Sequence, residues 1–124
     1  MVSAEPVTAT VRTRPLSLAV VTEAFDKLVR DDIPRIIEEN GEQPVTHEVS
    51  GTEYRERLHE KLDEEVAEFH DDPSAAELAD VRAVLDALQA SHGIDERDVT
   101  AVREEKATER GEFADGIVLE SVER

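Results

Sequence analysis

A chain of 124 residues is long enough for one domain, or one domain with a tail, and its 39% of apolar residues can build a modest core. The absence of Cys excludes a disulfide framework, a thiol nucleophile and a zinc–thiolate site, and no stretch approaches the roughly 20 apolar residues of a membrane span. Thirty-one acids against 14 bases give a net charge of −17, which repels phosphate backbones and argues against DNA or RNA as a partner.

The charge is uneven along the chain. Residues 1–22 carry Glu5, Arg12 and Arg14, a net +1, whereas residues 23–124 carry 30 acids and 12 bases. The first stretch is rich in Val, Thr, Ala, Pro and Ser, and its longest apolar run, Leu16 to Val21 broken by Ser17, is too short for a secretory signal. Residues 1–22 are therefore expected to be a dispensable, disordered tail or to precede the true start, and 23–124 to form the domain. The only lysines are Lys27, Lys61 and Lys106. Acid excess with scarce Lys suggests a halophilic, cytoplasmic protein kept soluble at high salt.

The first helical signal is Asp31 to Gly41. Asp31 or Asp32 can cap its start, Pro34 suits the first turn, Gly41 suits the stop, and Ile33, Ile36 and Ile37 share a face. Pro44 to Val49 alternates in polarity and reads as a short strand or an extended loop. Ser50 with Glu53 makes a capping-box pattern for a second helix running to about His70. Asp71-Asp72-Pro73-Ser74 breaks it, and a third helix runs to about His92, stopped by Gly93. Asp95 can cap a fourth helix that ends at Arg110-Gly111, and Gly116 to Glu120 reads as a strand or an extended arm. The predicted class is all-α, a helical bundle built on a central antiparallel hairpin of the second and third helices.

Those two helices carry pairs of acids at i, i+3: Glu65 and Glu68 behind Glu64 on one, Glu77 and Asp80 on the other. A quarter of the chain is acidic, so such a pair arises by chance in about one window in sixteen, and counting pairs decides nothing. Position on the helix is more informative. Turned at about 100° per residue with Leu62 at zero, Leu58, Val66 and Phe69 lie within roughly 40° and Tyr54 near −80°, so Glu65, near −60°, falls inside the apolar arc; Glu68 lies just beyond. With Leu78 at zero on the third helix, Val81, Val84, Leu85 and Leu88 spread from about −20° to −120°, which takes in Glu77 and puts Asp80 at the edge. Glu60, Asp63 and Asp86 fall outside.

Buried ionised carboxylates are costly unless paired or bound to metal. The short connection makes the helices antiparallel neighbours and puts Glu65, Glu68, Glu77 and Asp80 at matching heights. Four hard oxygen ligands without His or Cys suit Mg²⁺ or Mn²⁺, with room for two ions, and Mg²⁺ completes its shell with water and substrate phosphates. The ordinary alternatives stand beside this: Glu77 as capping-box partner of Ser74, and Glu65 and Glu68 as ion-pair partners of Arg.

At these residues the sequence resembles the MazG-like, all-α NTP pyrophosphohydrolases, marked by E-E-x-x-E followed by E-x-x-D, here Glu64-Glu65-x-x-Glu68 and Glu77-x-x-Asp80. The stretch Lys61 to Glu68 is also similar to the first motif of phosphoribosyl-ATP pyrophosphohydrolase. Lys27 to Pro34, together with Arg103 to Phe113 and Ile117 to Glu120, is similar to the flanks of a compact, phosphoribosyl-ATP-pyrophosphohydrolase-like subgroup, so the likeness covers about residues 25–120. Only eight residues separate Glu68 from Glu77, fewer than in typical MazG proteins, which tightens the hairpin and fits the compact subgroup.

The resemblance implies Mg²⁺-dependent cleavage of a nucleoside triphosphate between the α and β phosphates, giving a nucleoside monophosphate and pyrophosphate, in a homodimer or higher homo-oligomer that completes the bundle. On this reading Glu65, Glu68, Glu77 and Asp80 hold the metal, and Glu64 orients the water or acts as general base. Lys27, Arg30, Lys61 and Lys106 meet the substrate phosphates; Arg110, also basic, is better read as a surface ion pair. His47, His59, His70 and His92 lack metal-ligand spacing, no Ser/His/Asp arrangement stands out, and there is no Gly-rich phosphate loop. Phosphoribosyl-ATP hydrolysis in histidine synthesis, and a non-catalytic nucleotide-sensing or dimerisation module, are the competing readings.

Overall fold

A computed structural model describes residues 21–124. The expected tail, residues 1–22, lies outside the described residues except for its last two. Among the described residues the chain is all-α, with four helices and no strand: α1 (Ile33–Glu39), α2 (Gly51–Asp71), α3 (Ala75–Ser91) and α4 (Glu96–Arg110). No helix among these residues is long and apolar enough to cross a membrane. The chain divides into two units at Leu88/Gln89, inside α3.

In the first unit α1 starts where Pro34 sits at the first helical positions, its missing N–H costing nothing there. It stops at Gly41, whose φ of +84° lets Gly41 N–H donate to Glu38 O and Glu42 N–H donate to Ile37 O, a Schellman closure. Residues 42–49 have no regular structure, so of the two readings of Pro44–Val49, strand or extended loop, the loop is the one observed. Ser50 stands at the N-cap of α2 in extended backbone, but its side chain makes no capping hydrogen bond, so the expected capping box is not formed. Ser74 does cap α3: its Oγ accepts from Glu77 N–H at 3.3 Å.

The buried faces of α2 and α3 differ from the expected ones in a consistent way. Leu58, Lys61 and Glu65 are the buried residues of α2; Glu77, Asp80, Val84 and Leu88 are those of α3. Leu78 and Leu85, expected in the apolar arc, are 37% and 45% exposed. On α3 the buried stripe is thus turned away from Leu78 and Leu85 toward Glu77 and Asp80, beside Val84 and Leu88, and on α2 Lys61 and Glu65 join Leu58 in it. Leu58, Val84 and Leu88 form the core cluster, flanked by Leu28, Tyr54, Leu62 and Ala87. Among the described residues four apolar side chains are buried, and four charged ones are buried with them.

In the second unit Gly93 closes α3 as Gly41 closes α1, with φ +67° and Ile94 N–H donating to Gln89 O. Asp95 caps α4, accepting from Arg97 N–H at 2.7 Å. No residue of α4 is buried, and Phe113 to Val122 carries five exposed large apolar residues without regular structure.

With so few apolar residues inside, each one matters. Leu58→Ala is expected to destabilise the chain by about 2–5 kcal/mol, through lost burial and the cavity left behind. A urea titration followed by circular dichroism measures it; a midpoint unchanged from wild type contradicts the core assignment.

Candidate metal centre

The site is built at the end of the first unit where α2 leads into α3. Glu65 is 1% exposed, and Glu77 and Asp80 are each 5% exposed. Carboxylate oxygens of Glu65, Glu77 and Asp80 lie within 4.8 Å of one another, and so do those of Glu64, Glu65 and Glu68, with Glu65 common to both sets. The structure therefore brings together the four acids predicted as metal ligands, and Glu64 beside them.

Basic side chains reach this cluster from two elements. Lys61, one turn before Glu65 on α2, is buried; its Nζ donates to Glu64 Oε1 at 2.8 Å and lies 3.7 Å from Glu65 Oε2. The segment before α1 supplies the others. Lys27 Nζ donates to Glu64 Oε2 at 3.1 Å, and Arg30 Nη2 donates to Asp80 Oδ1 at 2.7 Å. Lys106, the fourth predicted phosphate ligand, is an exposed residue of α4 in the second unit. Among the described residues these ion pairs set three positive charges, on Glu64, Glu65 and Asp80, beside a cluster of five carboxylates, a difference of two negative charges when all five are ionised. One divalent cation, or protons, would balance them.

The remaining polar atoms bear on whether a cation could sit here. Glu77 Oε2 and Asp80 Oδ2 are buried and accept no hydrogen bond from the protein. An orphaned carboxylate oxygen of this kind costs desolvation with no return. Glu77 is not spent on its cap: its backbone N–H binds Ser74 while its carboxylate joins the cluster, so the capping-box alternative accounts for the amide alone. An oxygen-only donor set, buried and converging, suits a hard divalent cation such as Mg²⁺ or Mn²⁺.

Proton affinities follow the same charges. Burial pushes the Glu68 carboxyl up, and the negative charges of Glu65, Glu64 and Glu77 carry it, against Lys61, to about 7. Glu64 goes the other way. Burial raises it, but hydrogen bonds from Lys61 and Lys27 and their charges outweigh burial and hold it below the ordinary carboxylate range.

Two residues that position the site escaped the sequence. Arg57 Nη1 donates to Asp26 O at 2.9 Å and its Nη2 to Asp26 Oδ1 at 3.2 Å, which fastens the segment carrying Lys27 onto α2. Asp26 sits at φ +47°, the left-handed region that Asp tolerates better than most residues. Nothing in the local pattern marks Arg57 among eleven arginines in so acidic a chain.

No family model and no solved structure matches this chain. Over 43 residues it is 52% identical to an uncharacterized protein of Mycolicibacterium smegmatis, a match covering 35% of this chain and 44% of that protein. The chain thus spans under half the length of the curated relative it matches.

The raised Glu68 gives the site a pH signature. Between its ordinary 4.5 and about 7 the folded chain binds a proton that the unfolded chain has released. The Glu68 contribution therefore stabilises the fold at low pH and is lost as pH rises through about 7. Metal-free Glu68→Gln is expected to gain in melting temperature over wild type, more at pH 8 than at pH 5.5, and Mg²⁺ to raise the wild-type melting temperature more at pH 8. Thermal melts with chelator and with Mg²⁺ read both effects; a Glu68→Gln difference independent of pH contradicts the assignment.

Proposed function

We propose that this chain is a divalent-metal-dependent nucleotide pyrophosphohydrolase, cleaving a nucleoside triphosphate between the α and β phosphates to a nucleoside monophosphate and pyrophosphate, in cleanup of the nucleotide pool. The observation that carries the reading is the convergence on Glu65 of two sets of carboxylates, with buried oxygens of Glu77 and Asp80 left for a ligand. The MazG-like pattern of Glu64, Glu65, Glu68, Glu77 and Asp80 agrees with it.

On this reading Glu65, Glu68, Glu77 and Asp80 hold Mg²⁺ or Mn²⁺. Such an ion, when bound, neutralises phosphate charge and lowers the pKa of a coordinated water. The chain's own part is positional. α2 and α3 form an antiparallel hairpin, a reading supported by Leu58 clustering with Val84 and Leu88 while Glu65 meets Glu77 and Asp80. Its interface holds the acids in a rigid, water-poor setting, where electrostatic interactions with the substrate are strongest. Lys27, Arg30 and Lys61 lie beside the acids and offer ammonium and guanidinium donors to the phosphates; Lys106 is a further candidate. In the overall reaction one water adds to the α-phosphorus, the bond from that phosphorus to the bridging oxygen breaks, and pyrophosphate leaves.

The same reading makes the chain a homodimer or higher homo-oligomer. Its support is the apolar face of α3 at Leu78 and Leu85, exposed beside a core of few residues. Leu78→Asp with Leu85→Asp is expected to shift the mass measured by sedimentation from an oligomer to a monomer. A wild-type chain that sediments as a monomer contradicts this part.

Activity is tested by pyrophosphate release with Mg²⁺ or Mn²⁺, in dilute buffer and in molar KCl, on ordinary and deaminated NTPs and dNTPs and on phosphoribosyl-ATP. Metal-dependent release is expected, and Glu65→Gln with Asp80→Asn is expected to cut it by more than about a hundredfold while the helices persist, since loss of even outer partners of metal ligands costs up to that much. Folded wild type with no turnover on the panel contradicts the reading and leaves a sensing module; preference for phosphoribosyl-ATP moves it to histidine synthesis.

A further inference from the structure

Asp80 holds its two carboxylate oxygens in different surroundings. Oδ1 accepts from Arg30 Nη2 at 2.7 Å, whereas Oδ2 is buried without a hydrogen bond. Asp80 sits on α3, but its donor comes from a segment 50 residues earlier in sequence, outside both α2 and α3. The Arg30 side chain is half in water, and the Asp80 side chain is buried. An ion pair with one partner so exposed adds little to stability. Its hydrogen bond to a buried carboxylate has another effect, which is to fix an angle. The terminal torsion of Asp is broad, with no sharply preferred setting. The α3 backbone places the Asp80 side chain but leaves the turn of its carboxylate open. A donor on Oδ1 sets that turn, and with it the direction of Oδ2. Arg30 is itself held from both sides. Its carbonyl accepts from Ile33 N–H at 3.0 Å at the start of α1, and Ile33 is buried. Upstream, Leu28 packs against the core and Arg57 binds Asp26.

We propose that Arg30 is a positioning residue of the metal centre, which holds Asp80 by Oδ1 and so turns Oδ2 toward a divalent cation shared with Glu65 and Glu77. The proposal rests on the divalent-metal reading above, and it gives Arg30 a task besides the phosphate contact expected from the sequence. Carboxylate oxygens of Glu65, Glu77 and Asp80 converge within 4.8 Å, and two of these three acids carry a buried oxygen without a hydrogen bond. Metal ligands are oriented by outer hydrogen-bond partners, and losing one costs about ten- to a hundredfold in metal affinity. Charge alone gives Arg30 the opposite sign. A guanidinium beside the site repels a cation, so removing an Arg30 that is only a counterion of Asp80 tightens metal binding. Water screens that repulsion at a half-exposed group. The hydrogen bond to Oδ1 is short and charge-assisted, and it acts on a buried acid. Orientation therefore outweighs repulsion, and the direction of one change tells the two roles apart.

The experiment measures Mn²⁺ binding to the full chain by calorimetric titration, with no nucleotide present, and the helicity of each metal-free variant in parallel. Arg30→Met keeps a long side chain but removes both the donor and the charge. It is expected to retain wild-type helicity, since the position is half-exposed and outside the helices, and to bind Mn²⁺ about ten- to a hundredfold more weakly. Arg30→Lys keeps the charge and replaces the planar fork by a point donor, so its affinity is expected between those of wild type and Arg30→Met. Folded Arg30→Met that binds Mn²⁺ as tightly as wild type, or more tightly, overturns the proposal and leaves Arg30 a counterion. Arg30→Lys carries the test if Arg30→Met does not fold, and wild-type affinity in it then overturns the proposal. Folded wild type that binds no Mn²⁺ overturns the metal reading itself, and the proposal with it.

Discussion

Carboxylates packed within 4.8 Å of one another in a helix interface repel strongly, and removing each from water costs several kcal/mol more. Glu65, Glu77 and Asp80 meet that condition, and they are as buried as the core leucines and valine. A fold with so small an apolar core has little surplus to spend on repulsion. The rest of the first unit can be understood as its answer. Lys61 is buried next to Glu65, Arg30 reaches Asp80 from outside the helices, and Glu68 holds a proton up to about pH 7.

That answer leaves buried oxygens of Glu77 and Asp80 without a hydrogen bond, and the proposed metal site rests on them. Replacing buried ion pairs by apolar residues is often neutral or stabilising, so a charged cluster of this size is a poor choice for stability alone. Among the described residues its cations fall short of its acids by two charges when all are ionised, and Glu77 Oε2 and Asp80 Oδ2 are buried without a hydrogen bond. A divalent ion corrects both defects at once. Under the proposed function the cations paired with these acids would also meet the substrate phosphates. The strap from Asp26 to Arg30, pinned by Arg57, connects the two roles, since it carries both Lys27 and Arg30.

Much of this was legible in the chain, and the limits are physical. Helix ends were marked by residues with local reasons: Pro34, Gly41, Gly93 and Asp95 act through their own backbone or their nearest neighbours. Ser50 carried the same kind of mark, yet formed no capping hydrogen bond, because the pattern permits that bond without compelling it. Helix periodicity placed Glu65 and Glu77 inside the apolar arcs, and both are buried. It also placed Leu78 and Leu85 there, and both are exposed. The periodicity of one helix sets which residues share a face, whereas the roll of that face toward a neighbour is decided between helices. Here the acids and Lys61 took the centre. Ion pairs from Lys27, Arg30 and Arg57 span 31 to 50 residues of chain, and in a sequence with so many acids no spacing singles out their partners.

The central claim is that the cluster around Glu65 holds a divalent cation, and calorimetric titration of the metal-free full chain with Mn²⁺ at pH 8 tests it most directly. The account predicts saturable binding of one or two ions, lost in Glu65→Gln and Asp80→Asn, with wild-type helicity retained in both. Binding that survives both substitutions, or no saturable binding by folded wild type, would contradict it.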